Sequence, residues 1–443
     1  LGNHLILFVS NIEDCFKPEE IIKKLKQMKS KQTVVVVGGG FAGINFINRL
    51  DEKLFEVILI DKINHHQFQP LFYQVATSQI EPSSISFPLR HIFKNKKNVR
   101  IRLAEVYAVN SDTNTIQTSV GEFKYDILVL AMGCSSNFFG NDSINQYALT
   151  LKTTYNAISI RNHILQIFEK ISADINSREA LFNLVIVGAG PTGVELAGAF
   201  AEIKKNVLPK DYPRIDFSEL KIILIEGSKH TLGNMSRLAK TSSKAYLQKM
   251  GVEVLTETMV SDYDGESLRL SNGETIKTKT LIWAAGVIAN TLEGIPPEWI
   301  TKGNRIKVNR LNQAIGSNNV YVLGDMAYME TPKYPHGHPQ VANVAINQAK
   351  NLAKNIKKIT LGKKPVEYEY RDLGTMATIG RNKAVVDFPF LRLKGMIAWI
   401  IWMFLHLMLI LSVRNKLIIF INWTWAYVSK DTALRLILTD NKK

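Results

Sequence analysis

Two stretches of the chain repeat one pattern of apolar and polar positions. Four valines at 34–37 run into Gly38, Gly39, Gly40, Phe41, Ala42 and Gly43. Leu-Val-Ile-Val at 184–187 runs into Gly188, Ala189, Gly190, Pro191, Thr192 and Gly193. An unbroken branched apolar run marks a strand buried on both faces, as in a parallel sheet covered by helices. Helical spacing of apolar residues begins directly after each glycine cluster, so the pattern predicts a duplicated strand–turn–helix, one domain length apart.

Further apolar runs complete each unit. Residues 55–60 end at Asp61, and residues 220–225 end at Glu226. Residues 127–131 precede Gly133, 281–285 precede Gly286, and 320–323 precede Gly324 and Asp325. The expected fold class is α/β, with two Rossmann-like dinucleotide-binding domains. From Lys394 onward the chain becomes strongly apolar, Trp-rich and basic, and acidic residues nearly vanish. The boundaries that follow are 1–30 for an N-terminal extension, 31–150 and 304–375 for two parts of the first nucleotide domain, 151–303 for the second, and 376–443 for a C-terminal segment. The short apolar run at 5–9 lacks the flanks of a secretory signal, and residues before Met28 read as an extension outside the core.

A Gly-x-Gly-x-x-Gly turn between strand and helix has a mechanical purpose. The first glycine makes the tight turn, the second lets backbone approach a pyrophosphate, and the third lets helix pack on strand. The pyrophosphate then meets the positive end of the helix dipole. Gly38, Gly40 and Gly43 meet this spacing, as do Gly188, Gly190 and Gly193. Asp61 stands 23 positions past Gly38, close to the spacing of about 20 at which a ribose-binding carboxylate belongs. Glu226 comes later relative to its glycines, because the Lys- and Pro-containing stretch 204–219 reads as an insertion. A carboxylate there repels a 2′-phosphate, so the second site should prefer NADH over NADPH. The bland alternatives are structural turns and exposed strand-end acids.

Formal charge then narrows the partners. The excess of +16 implies an anionic partner: lipid surface, nucleic acid or acidic substrate. The densest basic and aromatic residues also lie in a continuously apolar stretch, which favours lipid over nucleic acid. The two cysteines, Cys15 and Cys134, are far apart and unpaired in sequence, against a disulfide framework, a zinc ribbon or a disulfide reductase. Cys134 reads as a small buried filler. His65, His66, His336 and His338 lack the spacing of a metal site, and none is expected.

These motifs resemble the two-dinucleotide-fold flavoproteins, and in detail the type II (non-proton-pumping) NADH:quinone oxidoreductases. The stretches that carry the resemblance are Asp61 with 67–76 (Gln-Phe-Gln-Pro-Leu-Phe-Tyr-Gln-Val-Ala), 188–195, 282–286 (Ile-Trp-Ala-Ala-Gly), 321–325 (Tyr-Val-Leu-Gly-Asp) and 373–380 (Leu-Gly-Thr-Met-Ala-Thr-Ile-Gly). The resemblance implies FAD in the first site, held by Gly38, Gly40, Phe41, Ala42, Gly43, Asp61, Gln74, Gly133 and Asp325. It implies NADH in the second, held by Gly188, Gly190, Thr192, Gly193, Glu195, Glu226 and Gly286. Glu195 would lie near the nicotinamide–flavin contact; from sequence alone it reads equally as an acid complementing a helix dipole. Two family glutamines at the quinone site fall on Asn343 and Asn347, one methylene shorter, with Gln348 following; Lys383 completes the implied catalytic set. A homodimer is implied as well.

The C-terminal segment is read as an amphipathic membrane anchor. Residues 396–411 are apolar except for His406, yet at about 1.5 Å per residue they fall short of a hydrocarbon core of about 30 Å. A basic break at Arg414 and Lys416 precedes a second apolar run, 417–428, with Trp423, Trp425 and Tyr427. Trp, Tyr and basic residues favour the interface of an anionic bilayer, so the expectation is a peripheral, monotopic enzyme on the cytoplasmic face of the cell membrane, passing electrons from NADH through FAD to quinone. A dimer or core face and a true membrane span are the other uses of such a segment. The rival functions are a soluble NADH-dependent reductase of a ferredoxin-like protein, or a flavoprotein redox sensor.

Overall fold

The computed structural model describes residues 31–173, 178–432 and 434–438. Cys15 and the expected N-terminal extension lie outside them.

Strand β1 (Gln32–Val37) carries the four valines, all buried. It pairs in parallel with β2 (Phe55–Asp61), which pairs in turn with β3 (Val99–Leu103). On its other side lies β4 (Ile127–Leu130). Helix α1 (Phe41–Ile47) starts at the glycine turn, and a short helix α2 (Phe72–Ala76) follows β2. Helix α3 (Thr154–Ser172) begins the second unit, fixed by a capping box between Thr153 and Asn156. The second sheet holds β5 (Asn183–Val187), β6 (Lys221–Glu226), β7 (Val252–Thr256) and β8 (Thr280–Trp283), with helix α4 (Pro191–Asn206) after β5. Its order is Leu149–Thr150, β8, β5, β6, β7, all parallel. The chain then returns: β9 (Val320–Val322) pairs with β4, giving a first sheet of order β9, β4, β1, β2, β3. Helix α5 (Ala342–Thr360) packs against α1 on that sheet.

The C-terminal region is a three-stranded antiparallel sheet, β10 (Thr375–Gly380), β11 (Lys383–Asp387) and β12 (Arg392–Gly395), leading into α6 (Met396–Leu409) and α7 (Val413–Ser429). This region is not an appendage. Trp402, Ile410, Ile419 and Trp423 belong to the same buried cluster as Phe72, Val194 and Phe200. The chain breaks at residues 410–412, where Ile410 and Ser412 are extended, and not at Arg414 and Lys416, which lie in the first turn of α7. Asn415 explains the placement: its buried amide donates to the carbonyls of Ser83 (3.2 Å) and Ser84 (2.9 Å), tying that turn to the first domain. Among the described residues no helix is long and apolar enough to cross a membrane.

Candidate active site

The two glycine turns superimpose in their chemistry. Gly38 and Gly188 sit at φ of +106° and +101°, where a side chain is strained. A Cβ on Gly43 would stand 1.9 Å from the Gly38 carbonyl oxygen, and one on Gly193 equally 1.9 Å from that of Gly188, so helix and strand touch there. By contrast, a Cβ on Gly40 or Gly190 would meet nothing within 4 Å. That open cradle at the head of α1 and of α4 is where a pyrophosphate fits.

The strand-end acids complete each turn. Asp61 accepts from the Gly39 N–H (2.6 Å) and the Ile63 N–H (2.9 Å). Glu226 accepts from the Ala189 N–H (2.7 Å) and the Ser228 N–H (2.8 Å). Each carboxylate thus holds the middle of its own glycine turn and keeps lone pairs for a ribose. Burial raises the Asp61 pKa, and the two N–H donors oppose it. His66 is buried and neutral, its pKa pushed down to about 4 by desolvation, and its Nδ1 donates to the Gly39 carbonyl (3.2 Å).

The turn at Gly324 and Asp325 docks on the first glycine turn. A Cβ on Gly324 would lie 3.7 Å from Cβ of Ala42. The Cys134 thiol donates to Asp325 (3.0 Å), and burial pushes its pKa up to about 12, so it is no thiolate nucleophile. Gly324 donates its N–H to Oε1 of Gln348 at 2.8 Å, while Nε2 of Gln348 is buried with no hydrogen-bond partner among the described residues, a donor left beside the paired turns. These features fit a dinucleotide cofactor lying across both motifs.

A cavity of about 120 Å³ opens between α4 and the C-terminal helices. Its polar wall includes Gln74, Glu195, Glu202, Asn206 and Arg381; its aromatic wall is Trp399, Trp402 and Trp423. Glu195 is buried at its inner end, where desolvation lifts its carboxyl to about 8. The Thr378 N–H opposes this weakly, from 3.4 Å. The buried Trp402 indole N–H faces the same carboxyl and, like the Thr378 N–H, pulls it back toward the charged form. His406 stacks on that indole at 4.1 Å.

Known proteins share this chain's sequence pattern and fold. Residues 32–349 match the family model for pyridine nucleotide-disulphide oxidoreductases, and residues 373–429 match the NDH2 C-terminal domain. The chain is 33% identical over 433 residues to the type II NADH:quinone oxidoreductase Ndh of Mycobacterium tuberculosis, covering 94% of this chain and 92% of that protein. The chain belongs to the type II NADH:quinone oxidoreductases. The Staphylococcus aureus enzyme of that name is 27% identical over 370 residues, 81% of this chain and 90% of its own. The fold is that of NDH2 from Plasmodium falciparum, solved in complex with RYL-552, at a TM-score of 0.84 and 22% identity, over 92% of this chain and 100% of that one.

Within this NADH:quinone oxidoreductase the expected residues separate into groups. Gly133 and Gly286 take positive φ (+68° and +83°) at the ends of β4 and β8, and Thr192 is exposed in the first turn of α4. Phe41 packs edge-on against His66 at the first turn. Gln74, expected at the flavin, hydrogen-bonds Tyr73 (2.9 Å) and Trp423 (2.8 Å) and lines the cavity. Gln348, expected beside the acceptor, is fully buried beneath Gly324. Asn343 and Asn347 share one face of α5 and bond each other at 2.7 Å, outside the cavity lining. Lys383 lies near Glu202 and draws its carboxyl toward the charged form. Sequence reasoning missed Glu202, Trp402 and Arg381 as cavity residues. The signal for Glu202 was its place on the same helical face as Glu195.

Proposed function

We propose that the cavity at Glu195 receives the quinone head, in an enzyme that takes a hydride from NADH onto FAD and passes two electrons to quinone without pumping protons. The observation that carries this reading is that a buried carboxyl, Glu195, and a buried indole N–H, Trp402, face each other in one cavity. A quinone carbonyl accepts a hydrogen bond; the indole offers one, and a Glu195 protonated near neutral pH offers a second. FAD supplies hydride acceptance and electron transfer when bound. Around it, the glycine turns would hold pyrophosphate, Asp61 and Glu226 would hold ribose, and the aromatic wall shields the inner end of the cavity from bulk solvent. Filling the cavity with Ala426→Trp tests the assignment. Quinone reduction should collapse relative to reduction of a soluble one-electron acceptor; an unchanged ratio removes quinone from this cavity.

The same helices supply the route to a bilayer. Their inner face buries Ala398, Trp402, His406, Ile419 and Trp423, whereas Ile397, Ile400, Phe404, Leu417, Ile421 and Trp425 are exposed. Phe390, at the tip of the β11–β12 hairpin, is 88% exposed. Arg392, Lys394, Arg414 and Lys416 lie on the same elements. An apolar face rimmed by cations suits the interface of an anionic membrane, so the enzyme sits peripherally on the cytoplasmic face, where NADH is available. The homodimer remains part of the proposal and is tested by light scattering in detergent.

A further inference from the structure

Helix α4 carries a second carboxyl into the same cavity. Glu202 stands two helical turns beyond Glu195, on the same face, with about 10 Å of helix between their α-carbons. Glu195, Ala199, Glu202 and Asn206 all line the space, so it runs parallel to the helix. Exposure grows along that row: Glu195 and Ala199 are buried, Glu202 and Asn206 half-buried. At the outer end the lining passes to Lys430 and Asp431, of which Lys430 is exposed. A cavity of about 120 Å³ has room for several waters.

The reaction sets a requirement on such a passage. NADH gives up two electrons and one proton together as hydride, while a quinone gains two electrons and two protons on becoming a quinol. One proton per turnover therefore comes from solvent, yet Glu195 is buried. We infer that Glu202 is the outer carrier that takes this proton from the cavity mouth and hands it, through waters along α4, to Glu195; this rests on the reading of Glu195 as the group facing the quinone.

The groups around Glu202 suit that task. Its Oε1 accepts the Arg381 backbone N–H, which fixes the side chain, while Oε2 makes no hydrogen bond among the described residues. Burial raises its carboxyl, and the Arg381 N–H, Lys383 and the Arg381 charge pull it back. From the β10–β11 turn Arg381 lays its guanidinium over the Tyr427 ring of α7, 4.0 Å from its centre. On the inner side lie Glu195 and the Tyr73 phenol, whose pKa is raised first by burial and then by the nearby Glu195 and Glu202.

The test separates proton carriage from a mere turn-fixing role. Glu202→Gln keeps an oxygen for the Arg381 N–H but cannot relay a proton. On resting protein without NADH or quinone, the Glu195 carboxyl band is identified in the infrared by its loss in Glu195→Gln. Its exchange with D2O should slow at least about tenfold in Glu202→Gln. In stopped flow, reoxidation of NADH-reduced enzyme by quinone should fall by a similar factor relative to reoxidation by ferricyanide, which takes no proton. A small diffusible acid should restore it. If exchange and the quinone-to-ferricyanide ratio are unchanged in Glu202→Gln while Glu195→Gln lowers the ratio, the inlet is wrong and the quinone site stands. If neither variant changes the ratio, both readings fall. Equal slowing with both acceptors, without rescue, assigns Glu202 a structural role and also overturns the inlet.

Discussion

The indole N–H of Trp423, on α7, donates to Oε1 of Gln74, on α2, across 2.8 Å, and both side chains are buried. This bond joins the C-terminal helices to the first nucleotide domain at the wall of the cavity. Trp423→Phe should leave the Gln74 carbonyl unpaired and cost about 1–3 kcal/mol of stability. Denaturant unfolding of the holoenzyme measures it; an unchanged midpoint would show that the bond carries no net stability.

Gly40→Val should abolish flavin retention while leaving the polypeptide folded, because the Cβ position at Gly40 is open toward the cofactor and toward nothing in the protein. Gly43→Ala is expected to act differently: its Cβ would meet the Gly38 oxygen at 1.9 Å, so folding itself should suffer. Flavin absorbance and circular dichroism of the two purified variants separate these outcomes. A Gly40→Val protein with a full flavin complement contradicts the site.

Glu226→Ala should narrow the preference for NADH over NADPH by relieving repulsion of the 2′-phosphate, on the scale of about 1.5–3 kcal/mol for charged hydrogen bonds. The same change frees the Ala189 and Ser228 N–H groups. The absolute kcat/KM for NADH should therefore fall as well. The ratio of kcat/KM for the two nucleotides is the measurement, and an unaltered ratio removes Glu226 as the discriminator.

Glu195 carries a stability signature opposite in sign to that of an ion-paired carboxylate. Its carboxyl is raised on folding from 4.5 to about 8, so the native state binds the extra proton between those values. Stability should fall as pH rises through that window, by up to about 1.4 kcal/mol per unit. Glu195→Gln should flatten the slope and be the more stable protein at pH above 8. Thermal unfolding of both proteins across that range decides it, and parallel curves would refute the buried-acid assignment.

Phe404→Asp combined with Trp425→Asp alters only exposed positions, so the fold should persist while membrane retention drops. High salt should weaken but not abolish retention of the unaltered protein, since each cation at an anionic surface is worth only about 1 kcal/mol. Liposome flotation at low and high salt reads both effects. Equal flotation of the double variant would assign the apolar face to another partner.

Local chemistry made much of this protein legible in its sequence. A tight turn needs positive φ at Gly38 and Gly188, close approach needs Gly43 and Gly193, and a doubly buried strand needs its branched run. Each requirement is met by neighbours in the chain, so spacing alone exposes both glycine turns and the strand-end carboxylates Asp61 and Glu226 that bond to them. The apolar C-terminal runs were equally visible, but their two faces were not. Only the packed structure decided that Trp402 and Trp423 turn inward while Phe404 and Trp425 turn out, because that depends on which elements lie beneath. It also gave Gln74 and Gln348 internal hydrogen-bond partners, 349 and 24 positions away in the chain. The cavity itself is built from α2, α4, the β10–β11 turn, α6 and α7. Its acid at about 8 exists because those elements together bury Glu195 away from bulk solvent, a cause that no stretch of sequence contains.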